Sequence, residues 1–239
     1  MSNTTKKFGF SSVSSANSFN EGLRSYMLGI YNYMTTALLI SALSAYLFAK
    51  TGLAIKLFTS PVGIIVSLAP IGIALYLSSK FHTMTVRNVR NAFFLYATVM
   101  GISMSTIFVM FRFSEIATAF FATGSMFAGM SIYGYVTKKD LSSLGAIMGM
   151  AILGIVIASL VNMFTHSSTM ALIVSFISII VFSVMVAYDT QRLKQLYYAL
   201  GNDSESAAKV AIFGAMQLYI DFVIIFMNLL QILGLSRKD

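Results

Sequence analysis

The sequence contains no cysteine and few charged residues. Without cysteine, the chain can form neither a disulfide framework nor a thiolate metal site. Only 10% of its 239 residues are charged, whereas a soluble domain carries about a quarter. So few charges cannot cover the surface of a soluble fold of this size, and 57% of the residues are hydrophobic. The apolar surface is therefore expected to face a lipid bilayer.

The charges that are present are mostly basic. Sixteen Lys and Arg residues stand against eight Asp and Glu residues, which gives a net charge of +8. A nucleic-acid-binding protein collects its basic residues on one face. In this chain they stand singly or in pairs between long apolar stretches, as in loops at a membrane surface. We therefore expect no nucleic-acid partner.

Long stretches without charge predict the transmembrane segments. A helix needs roughly 20 largely apolar residues to cross a bilayer core, and its backbone hydrogen bonds are all satisfied within the segment. The sequence therefore predicts an all-α polytopic membrane protein, with residues 1–25 as a disordered polar tail and residues 26–236 as one seven-helix transmembrane domain. The expected spans are 26–49, 60–79, 91–111, 115–136, 141–163, 169–190 and 209–235.

The loops between these spans predict the orientation, because cytoplasmic loops carry an excess of Lys and Arg. Eleven basic residues fall on the amino-terminal side and five on the other, which together make the 16 in the chain. The amino terminus is therefore expected to be cytoplasmic and the carboxyl terminus outside. Arg237 and Lys238, near the carboxyl terminus, are at odds with this orientation.

Small residues and proline indicate where the helices pack or bend. Pro70 lies within the second span, where proline kinks a helix. Pairs of small residues four positions apart let helix backbones approach closely. Two such pairs occur, Gly145 with Gly149 and Ser125 with Gly129.

Asp221 is the ionisable residue that lies deepest in a predicted span, about 16 Å along the last helix at 1.5 Å per residue. A carboxylate in the membrane core costs about 2.5–3.5 kcal/mol on insertion scales. It is therefore either functional or a protonated, hydrogen-bonded structural residue. Gln217, Asp221, Asn228 and Gln231 follow one another at spacings that share one helix face. Because such a polar stripe turns away from lipid, we expect the last helix to be central.

Asp189 is the second candidate, at the inner end of the sixth predicted span. Arg192 follows three residues later, within reach on the same helix face. Position alone leaves two interpretations open. Either the two residues form an ion pair at the membrane surface, or Asp189 belongs to a functional site.

Four segments of the sequence resemble the Bax inhibitor-1 family, in the family's order and over nearly the whole chain. They are YNYMTTALLISALSAY at 31–46, GYVTKKDLS at 134–142, AYDTQRLKQLY at 187–197 and LYIDFVIIFMNLLQILG at 218–234. The resemblance implies that Asp189 and Asp221 form a carboxylate pair. It also implies a pH-sensitive calcium leak, and the compact chain looks like the family's bacterial members, in the inner membrane. The alternative is a non-conducting regulator of a membrane-bound AAA protease or of a cell-death or stress factor.

The implied pair would sense pH, because two carboxylates in a low-dielectric site cannot easily both ionise and would share a proton. Calcium prefers carboxylate and carbonyl oxygens, so the pair is expected to bind it weakly and transiently, with no other cofactor. Some family members carry further partners in the second span. Residues 57–79 contain no carboxylate here, and Lys80 is the candidate for the basic partner. The supporting polar and basic residues are expected to be Arg192, Gln217, Asn228 and Gln231.

Other classes of membrane protein fit the sequence less well. A rhomboid-type protease needs a G-x-S-G serine, and the sequence G-I-S-M at Gly101 lacks the final glycine. A seven-helix zinc hydrolase needs several histidines, and the chain has only His82 and His166. We therefore expect no enzyme. A secondary transporter would be favoured by broken helices, for which Pro70 alone is thin support.

Overall fold

The computed structural model describes residues 7–201 and 203–235, with side chains from residue 21 onward except that of His82. The described residues form nine α-helices and one 3-10 turn, Phe81–Thr83. The helices are α1, Lys7–Lys50; α2, Leu53–Phe58; α3, Val62–Lys80; α4, Val86–Ser103; α5, Ile107–Met110; α6, Phe113–Val136; α7, Ser142–Thr165; α8, Ser168–Leu200; and α9, Ser204–Leu235.

Seven helical segments of the described chain are long and apolar enough to cross a membrane, which confirms the predicted fold class. The third segment joins α4 and α5, and each of the others lies in a single long helix. Four helices, α1, α4, α8 and α9, run five or more residues past a predicted span limit, because polar residues at a helix end can be solvated outside the bilayer core. A count of charge-free residues therefore marks the apolar part of each helix and misses its ends.

The polar segment before the first span is helical over most of its length. A disordered tail was predicted for residues 1–25, but α1 already begins at Lys7. The described backbone therefore differs from the predicted tail from residue 7 onward, and residues 1–6 lie outside the described part of the chain. The segment 7–25 contains no proline, so nothing in its backbone interrupts a helix that the membrane segment continues.

The last helix, α9, is the centre of the bundle, as predicted. Most residues of its apolar stretch are buried, and it packs against α8, α1, α6 and α4. Its Tyr219 stands edge-on to Phe93 and Tyr96 of α4, with both pairs of ring centroids 5.8 Å apart. By contrast α7, which is described along its whole length, buries none of its residues and packs mainly against α8.

Apolar side chains, rather than the predicted polar stripe, make α9 central. Of the four stripe residues only Asp221 is buried, whereas Gln217 and Asn228 are half-buried and Gln231 is exposed. The stripe therefore runs along the edge of the packed surface of α9. Spacing identified the shared face correctly but not how much of that face the neighbouring helices cover.

Helix backbones approach closely at a glycine outside the predicted small-residue pairs. A Cβ atom on Gly134 of α6 would collide with the backbone of Ala187 on α8. In the predicted pairs, a Cβ on Gly145 would meet an aromatic ring of α8, but one on Gly149 or Gly129 would meet no atom within 4 Å. Gly149 and Gly129 are exposed. The prediction failed at these two positions because the spacing of small residues does not say which helix face meets a neighbour.

Candidate functional site

Asp189 of α8 and Asp221 of α9 come together in the packed interior. Both are buried, with exposed fractions of 4% and 5%. Their carboxyl groups lie close enough to act on each other. The structure therefore joins the two residues that the sequence motifs singled out.

The two residues meet because the hairpin of α8 and α9 is longer than the predicted spans. The sixth span was expected to end at residue 190 and the seventh to begin at 209, which put Asp189 near the surface and Asp221 near mid-membrane. Instead α8 continues to Leu200 and α9 begins at Ser204. At 1.5 Å per residue, Asp189 lies about 17 Å from the end of its helix. That distance places its side chain well inside the packed part of the hairpin.

Two buried carboxyl groups this close together are expected to share a proton. A hydrogen bond between two carboxyl groups needs a proton on one of them, since an ionised carboxylate only accepts. In addition, Oδ2 of Asp221 is buried without a hydrogen-bond partner among the described residues. Buried polar atoms are nearly always paired, so an unpartnered one points to a proton, a water molecule or an ion at some stage of function.

Among the described residues, no basic side chain forms an ion pair with Asp189 or Asp221. Arg192 and Lys80 are both exposed, and the described residues contain no ion pair from either of them to Asp189 or Asp221. The predicted alternative, an ion pair between Asp189 and Arg192, is therefore not formed, although the charge of Arg192 is close enough to act on Asp189. Lys194 instead donates to the backbone oxygen of Tyr135 at 2.9 Å.

Neighbouring polar side chains fix the position of Asp189 on α8. Thr190 is buried and shares a hydrogen bond of 3.1 Å with Ser131 of α6, which in turn bonds the hydroxyl of Tyr31 on α1. These residues were not singled out from the sequence. Tyr31 and Thr190 nevertheless lie in the segments that carry the family resemblance. That resemblance was the feature of the sequence that could have identified them.

Gln191 ties the same stretch of α8 to the loop before α7. Its Oε1 accepts from the backbone N–H of Leu141 at 2.9 Å, and its Nε2 donates to the backbone oxygen of Lys139 at 2.8 Å. Both loop residues belong to the resembling segment 134–142. The segments matched in sequence therefore meet in space around Asp189, which explains why they occur together.

The other predicted supporting residues lie away from the pair. Asn228 donates to the backbone oxygen of Ile224 at 2.8 Å, one turn earlier on its own helix. Gln231 accepts from the hydroxyl of Ser175 on α8 at 3.1 Å. No interaction between Gln217 and either carboxyl is present among the described residues.

The pair on its own is a sparse set of metal ligands. No group of three or more His, Cys, Asp or Glu side chains that could hold a metal ion occurs within residues 7–201 and 203–235. Calcium takes 6–8 oxygen ligands, and two carboxyl groups supply at most four. The donor set therefore fits a passing ion with its own water better than a resident one.

Two acidic residues outside the spans, Asp140 and Asp203, have lowered pKa values because serine residues donate hydrogen bonds to them. Hydrogen bonds from the side chain and backbone of Ser142 hold the pKa of Asp140 below its usual value of 3.8. Hydrogen bonds from Ser206 likewise hold the pKa of Asp203 below that value. Both carboxylates stay ionised at neutral pH and act at helix starts, where a carboxylate accepts from free backbone N–H groups.

The family model and the relatives that match this chain point to the same family. The family model described as "Inhibitor of apoptosis-promoting Bax1" matches residues 23–238. The protein RP147 of Rickettsia prowazekii is 40% identical over 226 residues, which cover 92% of this chain and 93% of that protein. The inner membrane protein YbhL of Escherichia coli K12 is 37% identical over 219 residues, 90% and 94% of the two chains. The chain is an integral membrane protein that belongs to the Bax inhibitor-1 family.

Proposed function

We propose that the protein is a slow, pH-sensitive leak for calcium ions in a bacterial inner membrane, with Asp189 and Asp221 as its latch. The observation that carries the proposal is the buried contact of these two carboxyl groups between α8 and the central helix α9. Opening a path through the bundle would require these two helices to separate. A latch at their contact is therefore well placed to control it.

The shared proton supplies the holding force. An O–H···O⁻ bond is roughly twice as strong as a neutral one, so the singly protonated pair is the closed form. If the proton is lost, two negative charges about 4 Å apart repel by about 4 kcal/mol at an effective dielectric constant of 20. That repulsion changes an equilibrium by roughly a thousandfold. Binding of a second proton also weakens the latch, because it leaves a neutral hydrogen bond.

Few other charges face the pair. Arg192, on the same helix as Asp189, contributes a positive charge that acts on Asp189 without forming an ion pair. The described residues of α1, α4, α6 and α7 contribute no charged group that acts on either carboxyl. The pH response of the latch therefore arises within the pair itself.

Calcium is the proposed cargo. Carboxylate oxygens suit a hard divalent cation, and a passing ion can take the place of the shared proton while it keeps most of its water. No covalent chemistry is involved. The lipid bilayer and calcium are the proposed partners, and the amino terminus is proposed to face the cytoplasm on the basis of its basic loops.

The alternative function is a regulator of a membrane-bound AAA protease or of a stress factor, without an ion path. Such a regulator would act through its surface. It would have no use for a buried carboxyl oxygen without a partner, which costs free energy in a membrane interior. The unpartnered Oδ2 of Asp221 therefore favours the leak.

The test is calcium flux in liposomes that contain the purified protein. Vesicles loaded with a calcium indicator are exposed to external calcium at a series of pH values. We expect a slow flux whose rate varies with pH in protein-containing vesicles and not in empty ones. The absence of flux at every pH would overturn the leak, and the regulator would remain.

A further inference from the structure

A cleft of about 730 Å³ lies between α7, α8 and α9, outside the carboxylate contact. His166 and Ser167 line it at the turn between α7 and α8, and Leu235 lines it at the end of α9. With seven crossings, this turn and the end of α9 both lie on the membrane face opposite to the amino terminus. The cleft therefore extends to that face.

Eight of the 17 residues that line the cleft are polar, and the other nine are apolar. Asn162 of α7, Ser178 of α8 and Asn228 and Gln231 of α9 all contribute to its wall. Gln231 is exposed and Asn228 half-buried, yet an amide that faces lipid costs free energy. A cleft of this volume holds many water molecules, since one water needs only about 10–15 Å³ of such space. Water in the cleft would solvate these amides where lipid could not.

The lining is suited to cations. No Lys or Arg side chain occurs among the described residues that line the cleft. Amide and hydroxyl oxygens can replace part of a cation's hydration shell, and they attract the cation more weakly than a carboxylate does. The cleft therefore combines access from one membrane face with weak attraction for a hydrated cation.

Two apolar side chains separate the cleft from the carboxylate pair. Phe182 of α8 and Ile224 of α9 line the cleft at its deep end. Asp221 precedes Ile224 by one turn, and Asp189 follows Phe182 by two turns, so each carboxylate shares a helix face with one of them. Phe182 is buried, and the polar row on this hairpin is thus interrupted by one apolar layer before it reaches the pair.

We propose that this cleft is a water-filled vestibule through which hydrated cations approach Asp189 and Asp221 from the face opposite to the amino terminus. Phe182 and Ile224 close its floor while the latch is shut. The inference rests on the proposed leak, since a vestibule needs a path to lead into. Its central physical claim, that water fills the cleft, can be measured without any flux.

The natural absence of cysteine makes the test direct. Ser159→Cys on α7 and Asn228→Cys on α9 each place one thiol in the vestibule wall, since both residues line the cleft and neither is buried. Ile177→Cys and Ile180→Cys are matched controls on α8, because both residues are exposed on the outer surface of the bundle. Each variant is reconstituted in liposomes and treated with a charged, membrane-impermeant methanethiosulfonate on both sides of the bilayer. Insertion direction then does not affect the result.

We expect the vestibule cysteines to react about tenfold or more faster than the controls, because the reactive thiolate forms in water and not in lipid. Two separate vestibule positions guard against a variant that fails to fold, and gel filtration in detergent identifies such a variant. Equally slow reaction at all four positions would overturn the vestibule and indicate a lipid-filled cleft. If the vestibule cysteines react quickly but no calcium flux is found, the proposed leak is wrong and the water-filled cleft is supported. If flux depends on Asp221 and the cleft does not react, the vestibule alone fails.

Discussion

Ser41 of α1 and Tyr219 of α9 share a buried hydrogen bond of 2.6 Å between their hydroxyl groups. The Ser41 hydroxyl also lies 2.8 Å from the backbone oxygen of Ala97 on α4. One serine therefore connects three helices at the level where α9 is fully buried. A polar contact of this kind fixes the rotation of the central helix, which apolar packing alone specifies less sharply.

Loss of this contact is expected to destabilise the bundle measurably. Ser41→Ala leaves the Tyr219 hydroxyl buried without its partner, whereas Tyr219→Phe removes that hydroxyl and leaves Ser41 its backbone acceptor. Interhelical hydrogen bonds in membranes average about 0.6 kcal/mol, with a maximum near 1.7. We expect Ser41→Ala to lower the melting temperature in detergent more than Tyr219→Phe does. The opposite order would mean that Ser41 bonds mainly to the backbone.

The close approach of α6 and α8 predicts different outcomes for two glycines of one helix. Gly134→Ala would drive a Cβ into the backbone of Ala187, so the helices must separate. Gly129→Ala meets open space and removes a flexible residue from a helix, which is worth roughly 0.5–1 kcal/mol. We expect Gly134→Ala to lower the melting temperature and Gly129→Ala to leave it unchanged or raise it slightly. Similar losses at both positions would show that the two helices do not pack as described.

The sequence predicted the number of spans because that number depends on where apolar residues stand along the chain. It predicted the central helix from the polar stripe of α9, although apolar packing is what makes that helix central. It predicted the pair only through the family motifs, since residue spacing placed Asp189 and Asp221 at different depths. The depths were wrong because helices continue through polar residues at the membrane surface, as α8 does from 190 to Leu200. The composition of that stretch does not reveal where its helix ends.

Contacts between distant segments were beyond prediction for a related reason. The spacing rules used for Gly129 and Gly149 describe one helix at a time. They do not say which face meets another helix. The bond from Gln191 to the loop before α7 spans about 50 residues of chain and has no local signature. Such contacts depend on the whole packing arrangement.

Gln191 offers a test of how the loop before α7 is held. Its side chain bonds the backbone N–H of Leu141 and the backbone oxygen of Lys139. Gln191→Leu leaves both groups without these partners. Gln195→Leu, one turn later at an exposed position, is the matched control. We expect only the first change to lower stability, by about 1–3 kcal/mol for an unsatisfied buried group. The check is thermal unfolding in detergent, and equal effects would contradict a bracing role for Gln191.

The orientation in the membrane can be tested with the same cysteine-free chain. Eleven basic residues on the amino-terminal side predict that the loop with Lys138 faces the cytoplasm and that the turn with His166 faces outward. In intact cells, a cysteine at position 166 should react with an impermeant thiol reagent and one at position 138 should not. Permeabilised cells, in which both should react, are the control. The reverse pattern in intact cells would invert the topology.

The latch predicts how the pH profile of calcium flux responds to substitution of the pair. Asp221→Asn retains the shape of the side chain and supplies an N–H donor. Whenever Asp189 is ionised, that donor can replace the shared proton, so the variant imitates the singly protonated pair. We expect a low flux without pH dependence. Asp189→Asn should act in the same way, and the double variant should add little, because both residues form one latch. If either single variant keeps the wild-type pH dependence of calcium flux, the latch hypothesis is wrong.

Controls for this experiment follow from the other titratable groups. The lowered pKa of Asp203 means that its ionised form stabilises the fold above the usual value of 3.8, and that this contribution is lost only as pH falls through its lowered pKa. Asp203→Asn should therefore leave the flux profile between about pH 5 and 8 unchanged. Variants of His82 and His166 must be measured as well, because histidine is a common side chain in pH sensors. If replacing either histidine abolishes the pH dependence while Asp221→Asn preserves it, the sensor is the histidine and not the carboxylate pair.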